Sequence, residues 1–297
     1  MANLKNVLLI VGNGFDLNMG LKTSYKDFLT SFNINDIQNK LVYELLLRHK
    51  TNWVDIEQEL ENCALHGLTN IEQQNVLKPN YNSELSKFEK DDYIQLKISL
   101  KSYLKKQEEK EIPNFTTKNS YNLLSKLLRR KDIKLTILNF NYTNTIKRLK
   151  RYIYEYYHGI DINNFEHIYV HGNLNDDIVF GIADNAKITK QHNYLLKSYD
   201  IENNTTLNIS KLLNNSDEIL FYGYSLGETD TTYFDDFFKE CCVYDDKIEE
   251  EMKKKITFYC YKEQGFDELF DRLFTLTEHK MSKLKHLNDC NFINSFE

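Results

Sequence analysis

Four short clusters of glycine and polar residues, each directly behind an apolar run, hold the side chains in this chain best suited to chemistry. The first is Gly12-Asn13-Gly14-Phe15-Asp16, behind Asn6-Val7-Leu8-Leu9-Ile10-Val11. Glycines after a first strand let a phosphate approach the backbone, and the following helix N-terminus adds amide donors and partial positive charge. Leu17 stands where G-x-G-x-x-G has its third glycine, so the same spacing also fits an ordinary strand-to-helix turn. The second cluster is Asn139-Phe140-Asn141-Tyr142-Thr143-Asn144. Asn141 could bond a ribose hydroxyl or orient a water, while Thr143 or Asn144 could cap the next helix. The third is His171-Gly172-Asn173, a histidine at a strand end with the protonation range of a general base. His167 lies four residues before it, but no third ligand follows at a metal-binding spacing, so no metal is expected.

The fourth cluster runs from Tyr222 to Asp230. Gly223, Tyr224 and Ser225 could line the second half of a nucleotide site, and Asp230 could bond a ribose or cap a helix beginning near Thr231. Gly223-Tyr224-Ser225-Leu226-Gly227 also matches G-x-S-x-G, the nucleophile elbow of serine hydrolases. That chemistry needs an acid and then a histidine further along, and only His279 and His286 follow Ser225, both in a charged tail. Nucleotide binding therefore ranks above a serine hydrolase using Ser225. Trp53 and Glu57, one helical turn apart, read as a core anchor beside a solvated face, with closure of the site as the alternative. Polar clusters at four successive strand ends are what one shared ligand crevice requires.

The elements that would hold these clusters are legible from periodicity. Val7 to Val11 is apolar without alternation, as in a strand buried on both faces of a parallel sheet. Similar runs occur at 134–140, 167–170, 178–180, 218–222 and 256–261, with helical patterns between them at 144–157 and 231–241. Strands alternating with helices predict an α/β fold, a Rossmann-like, mainly parallel sheet flanked by helices. The gap between the first and second strands is too long for a crossover. It carries helical spacing around Leu41 and Leu45, from Trp53 to Leu60, from Asp91 to Glu111 before Pro113, and from Tyr121 to Leu128. An α-helical insertion over 36–130 is expected after the first βα unit, perched over the ligand edge of a core made of 1–35 and 131–297.

Composition bounds the rest. With 41% hydrophobic and 28% charged residues over 297 positions, the chain can bury a core without disulfide or metal staples. A net charge of −6 argues against a dedicated nucleic-acid binder. No run of some 20 apolar residues predicts a membrane span. The first apolar run ends in a glycine turn rather than a small-residue cleavage site, so it reads as a strand and not a signal peptide. Five cysteines without a C-x-x-C pair fit reduced thiols in a cytoplasmic protein.

Leu8 to Leu17, followed by Leu21-Lys22-Thr23-Ser24-Tyr25-Lys26-Asp27-Phe28, resembles the opening of the AbiH family of bacteriophage abortive-infection proteins. Trp53 and Glu57 resemble its W-x-x-x-E element, and Phe140-Asn141-Tyr142-Thr143, Val170-His171-Gly172 and Gly223-Tyr224-Ser225-Leu226 continue the likeness. More distantly, the same motifs are similar to the sirtuin-like NAD-binding fold. That likeness implies a dinucleotide loop at Gly12, Asn13, Gly14, Phe15 and Asp16. It implies ribose contacts from Asn141, Tyr142 and Thr143, a base at His171, and a second half-site at Gly223, Tyr224, Ser225 and Asp230. Asp16 stands where the sirtuin pattern has serine, Thr143 where it has aspartate, and a four-cysteine zinc module is missing. The missing module argues against a protein deacylase. The resemblance thus implies NAD as substrate, cleaved at the nicotinamide–ribose bond through an oxocarbenium-like transition state, with His171 and Asn141 as catalytic residues. A non-enzymatic nucleotide sensor is the alternative. Partners implied are a small nucleotide, a phage-derived trigger or partner protein, and a second copy of the chain; neither direct nucleic-acid binding nor a membrane is expected.

Overall fold

A computed structural model describes residues 4–33, 36–48, 55–68, 88–158, 160, 164–199, 209–243 and 253–295. The chain divides into two compact units, one of Met1–Leu21, Lys110–Asp176 and Thr205–Glu297, the other of Lys22–Glu109 and Asp177–Asn204. The helical unit thus begins and ends earlier than 36–130 and takes in a second segment from beyond the third strand.

The first unit is built on six parallel strands: β1 (Lys5–Val11), β2 (Ile133–Asn139), β3 (Phe165–Tyr169), β4 (Glu218–Tyr222), β5 (Lys255–Cys260) and β6 (Asp289–Asn294). Their order is β3-β2-β1-β4-β5-β6. The chain winds outward from β1 through β2 to β3, then returns to lay β4 on the other side of β1. The direction of winding reverses between β1 and β4, the switch point beside which open α/β sheets bind ligands. Val7 to Val11 are fully buried, which accounts for their lack of alternation. Helices α1 (Asn13–Asn18), α6 (Asn119–Leu128) and α7 (Thr145–Tyr156) belong to one face, where Phe15, Tyr121, Leu124, Ile146, Leu149 and Ile153 join Leu9 and Ile137 in one core. On the other face α8 (Ile209–Asn214), α9 (Asp235–Glu240), α10 (Lys262–Leu276) and α11 (Met281–Leu287) bring Leu213, Phe238, Leu273 and Leu284 onto Leu8, Ile10, Phe221 and Phe258.

Register places the four clusters on one edge. Val11 pairs with Asn139 on one side and Tyr222 on the other, and Asn139 pairs with Tyr169. The loops after β1, β2, β3 and β4 therefore leave the sheet at the same level.

The second unit holds α2 (Tyr25–Thr30), α3 (Lys40–Arg48), α4 (Ile56–His66) and α5 (Lys90–Glu108). Ser24 caps α2 by accepting from the Asp27 amide at 3.0 Å, and Asp55 caps α4 by accepting from Glu57 and Gln58. Tyr93, Leu96, Leu100 and Leu104 form the buried stripe of α5.

Three sequence expectations fail here. Ile178-Val179-Phe180 is not a strand of the sheet. It is a buried extended connection in the second unit, where Phe180 stacks on Tyr93. Conversely, the polar tail after His286 forms β6, pairing with β5 through Phe258–Phe292. The helix expected over 231–241 is also broken, into a 3₁₀ turn at Glu228–Tyr233 and the short α9.

Candidate functional site

The loops at the carboxyl edge hold one another by backbone contact. Gly12 caps α1 in extended conformation, and its amide donates to the Tyr222 carbonyl at 3.1 Å. The Gly14 amide donates to the Gly223 carbonyl at 2.9 Å. Gly223 sits at φ +60°, and a Cβ there would come within 2.5 Å of Gly14 Cα. A Cβ on Gly12 would meet the Gly223 carbonyl oxygen at 2.5 Å, and one on Gly14 would meet Gly223 Cα at the same distance. These three glycines thus have a packing reason to be glycine: two loops interlock at the switch point. One first-turn amide expected to face a phosphate is spent on this interlock.

Asn141 fastens the same edge to β2. Its side-chain amide donates to the Gly12 carbonyl at 2.9 Å, and its backbone amide donates to Asn139 Oδ1 at 3.0 Å. Asp16, only 1% exposed, accepts a short hydrogen bond from Thr143 Oγ1, and Thr145 donates to Thr143. The two positions that depart from the sirtuin pattern are therefore partners, with carboxylate and hydroxyl facing each other across the β1 and β2 loops. Neither Thr143 nor Asn144 caps α7 with its side chain; Asn144 instead accepts from the Tyr169 hydroxyl at 2.8 Å. Tyr142 is buried, and its carbonyl accepts from the Leu174 amide.

His171 is the group best placed for proton transfer. It is 4% exposed, and its Nε2 lies 3.1 Å from Asp230 Oδ1. The Tyr224 hydroxyl donates to the other oxygen of Asp230 at 3.1 Å. An ionised carboxylate only accepts, so Nε2 carries the proton of neutral His171 and the lone pair sits on Nδ1. That Nδ1 is buried and has no hydrogen-bond partner among the described residues. A buried nitrogen of this kind normally finds a partner, and a ligand hydroxyl or a water would supply one. Phe140 packs edge-on to the imidazole with ring centroids 5.4 Å apart, and Tyr224 packs on Phe140 at 4.4 Å. Asp230 does not cap a helix; it lies in the 3₁₀ turn and serves His171. Its pairing with a histidine 59 residues earlier had no sequence signal, because it depends on β4 lying two strands from β3's neighbour β2.

Ser225 is exposed and makes no hydrogen bond to a histidine among the described residues. The left-handed residues of its loop are Gly223 and Leu226, not the serine. The strained elbow that would present a nucleophile is absent from Ser225, and the serine-hydrolase reading loses its geometric basis. His167 and His171 do not share a site: β3 ends at Tyr169, so strand alternation does not carry through to His171. His167 lies beside Phe165 and Tyr169 instead, where burial and the nearby Lys150 and Lys147 hold it down to about 4. Among the described residues no three His, Cys, Asp or Glu side chains cluster to hold a metal ion, and no helix is long and apolar enough to cross a membrane.

In the second unit, Glu57 is buried and its Oε2 lies 3.0 Å from Lys197 Nζ, with the Tyr25 hydroxyl 3.5 Å from Oε1. Glu57 is thus a buried ion-pair member rather than part of a solvated face. Burial and the adjacent Glu57 push Asp55 up to about 6. Trp53 lies outside the described residues.

The family model for "Bacteriophage abortive infection AbiH" matches residues 8–249, a span that includes all four strand-end clusters. No curated protein matches the chain.

Proposed function

Since the chain belongs to the AbiH family of bacteriophage abortive-infection proteins, with a role in anti-phage abortive infection, we propose that its carboxyl-edge crevice binds NAD and hydrolyses the nicotinamide–ribose bond. One observation carries the reading: buried His171 is paired through Nε2 with Asp230, and its Nδ1 has no hydrogen-bond partner among the described residues. NAD supplies a glycosidic bond with a good leaving group. In this reading the C1′–N bond breaks, water supplies the new hydroxyl, and Nδ1 takes the water's proton. Asp230 keeps the ring oriented and stabilises the imidazolium that forms. Asn141 and the glycine loops shape the edge on which the dinucleotide lies. The arrested growth of an infected cell would follow from loss of its NAD.

The test is release of nicotinamide and ADP-ribose from NAD by the purified protein, resolved by chromatography. His171→Ala and Asp230→Asn should each lower the rate by about 10²–10⁴-fold, the range of a general base. Wild-type turnover in both variants would remove the pair from the reaction. A second reading, nucleotide sensing without cleavage, has its own support: the Asn141 side-chain amide and the Gly14 amide are both committed to protein carbonyls. NAD bound by the wild-type protein and recovered intact would favour it.

A further inference from the structure

Tyr224 ties the four strand-end loops together. It belongs to the loop behind β4, and it lies against Gly12 of the β1 loop: a Cβ on Gly12 would meet Tyr224 Cα at 2.7 Å and its ring carbon Cδ2 at 2.8 Å. The ring thus fills the space that a side chain at position 12 would need. The same ring packs on Phe140 of the β2 loop, with centroids 4.4 Å apart, and on Phe234 at 5.6 Å. Its hydroxyl donates to Asp230 Oδ2 at 3.1 Å, while Asp230 Oδ1 lies 3.1 Å from Nε2 of His171, behind β3. A tyrosine ring has two side-chain torsions, so wedging it between two loops leaves its hydroxyl little freedom. Asp230 is held at its main chain as well, where its amide donates to the Gly227 carbonyl at 3.0 Å.

A carboxylate anchored through one oxygen can swing about its own torsions; anchored through both, it presents Oδ1 in one place. Neutral imidazole has two tautomers, and the hydrogen bond made by one nitrogen decides whether the other keeps its lone pair. His171 Nδ1, buried and without a hydrogen-bond partner among the described residues, has nothing of its own to fix that choice. We propose that Tyr224 is a positioning residue: through Asp230 it holds His171 in the tautomer whose Nδ1 accepts a proton. Tyrosine, aspartate and histidine then act as one network, in which each bond strengthens the next. Gly12 contributes from a distance, because a methyl there would displace the Tyr224 ring. The catalytic consequence rests on the NAD reading, whereas the tautomer is read without any nucleotide.

The test uses Tyr224→Phe, which keeps the ring on Gly12 and Phe140 and removes only the hydroxyl. Two-bond proton–nitrogen NMR of the full chain with labelled histidine reads the tautomer at about pH 8, above the ordinary histidine range. The His171 signals are assigned by their loss in His171→Ala. Wild type should show the Nε2–H form alone, and Tyr224→Phe a mixture of both forms with unchanged circular dichroism. A wild-type spectrum from Tyr224→Phe, or an Nδ1–H form in wild type, would overturn the proposal. With NAD, Tyr224→Phe should lower kcat by about 10–100-fold, the worth of a hydrogen bond to a charged group, and leave KM unchanged. Added to Asp230→Asn, it should cause no further loss, because the two act in series. A full second loss in that background would mean that Tyr224 works on the ligand directly, and would overturn the positioning role. Absence of turnover in wild type would count against the NAD reading alone and leave the NMR result to decide this one.

Discussion

Replacing Gly223 by alanine separates two explanations for the glycines at the carboxyl edge. If Gly12, Gly14 and Gly223 exist to admit a phosphate, alanine should leave the fold intact and remove the ligand. If they exist because two loops interlock, alanine should damage the fold itself. The added methyl would lie 2.5 Å from Gly14 Cα and from the Phe15 nitrogen, both backbone atoms that cannot swing aside. Overpacking of this kind costs about 1–3 kcal/mol. The left-handed conformation at φ +60° adds about 1–2 kcal/mol for a residue with a Cβ. The sum, about 2–5 kcal/mol, is a large share of an ordinary domain's stability. At about 2–4 °C per kcal/mol for a unit of this size, the melting midpoint should fall by about 4–20 °C. Gly14→Ala should cost less, because Gly14 lies in a helix, where alanine regains up to about 1 kcal/mol. Gly227→Ala is the control. A Cβ there meets nothing within 4 Å, and φ is −53°, so its midpoint should match or exceed wild type. Scanning calorimetry with and without NAD reads all three. A Gly223→Ala protein that melts with wild type refutes the interlock as the reason for the glycine.

Other outcomes follow from the buried charges. Asp55 is raised above its ordinary value, so its contribution favours the fold below about pH 4 and is lost as pH rises through about 6. Asp55→Asn keeps the cap acceptor without the charge; urea titrations should show it more stable than wild type by up to about 3 kcal/mol at pH 8, and equal at pH 4. His167 is depressed, so the opposite sign holds: its contribution is present above about pH 6.5 and lost as pH falls through 4. His167→Gln should therefore blunt acid unfolding between those values by up to about 3 kcal/mol, measured by circular dichroism against pH. Glu57→Gln leaves Lys197 charged and buried, and should cost about 3–5 kcal/mol in chemical denaturation; adding Lys197→Met should recover much of it.

Four of the six strands, β1, β2, β4 and β5, were legible because they are buried on both faces, which only a covered parallel sheet explains; β3, a half-buried strand at one edge, was legible only from its short run His167 to Val170. The sixth was hidden by its place at the edge: Asp289, Asn291 and Ile293 are exposed, leaving a half-polar pattern that read as a tail. Ile178-Val179-Phe180 misled for the converse reason. A short apolar run registers burial, and its burial is in the helical unit, without a strand to pair with. The four clusters were found because each follows a strand directly, but their internal wiring was not. Asn141 reads from sequence as a ligand contact and is tied to Gly12 in the fold. Asp230 reads as a ribose contact or a cap and in the fold pairs with His171. Such pairings depend on strand order, and no local pattern reports that β4 returns beside β1.

That return has a consequence in time. Val7 of β1 pairs with Glu218 of β4, so a central contact of the sheet joins residues 211 positions apart. A ribosome adding about 5–20 residues per second needs roughly 10–40 s to make the second partner after the first. Throughout that interval β1 lacks a neighbour on one side, and Gly14 lacks the carbonyl that its amide binds. His171 is likewise translated well before Asp230. Every prematurely ended product that stops before β4 is therefore without the assembled edge. A host that synthesises this protein ahead of infection completes this edge only in chains that extend past Asp230.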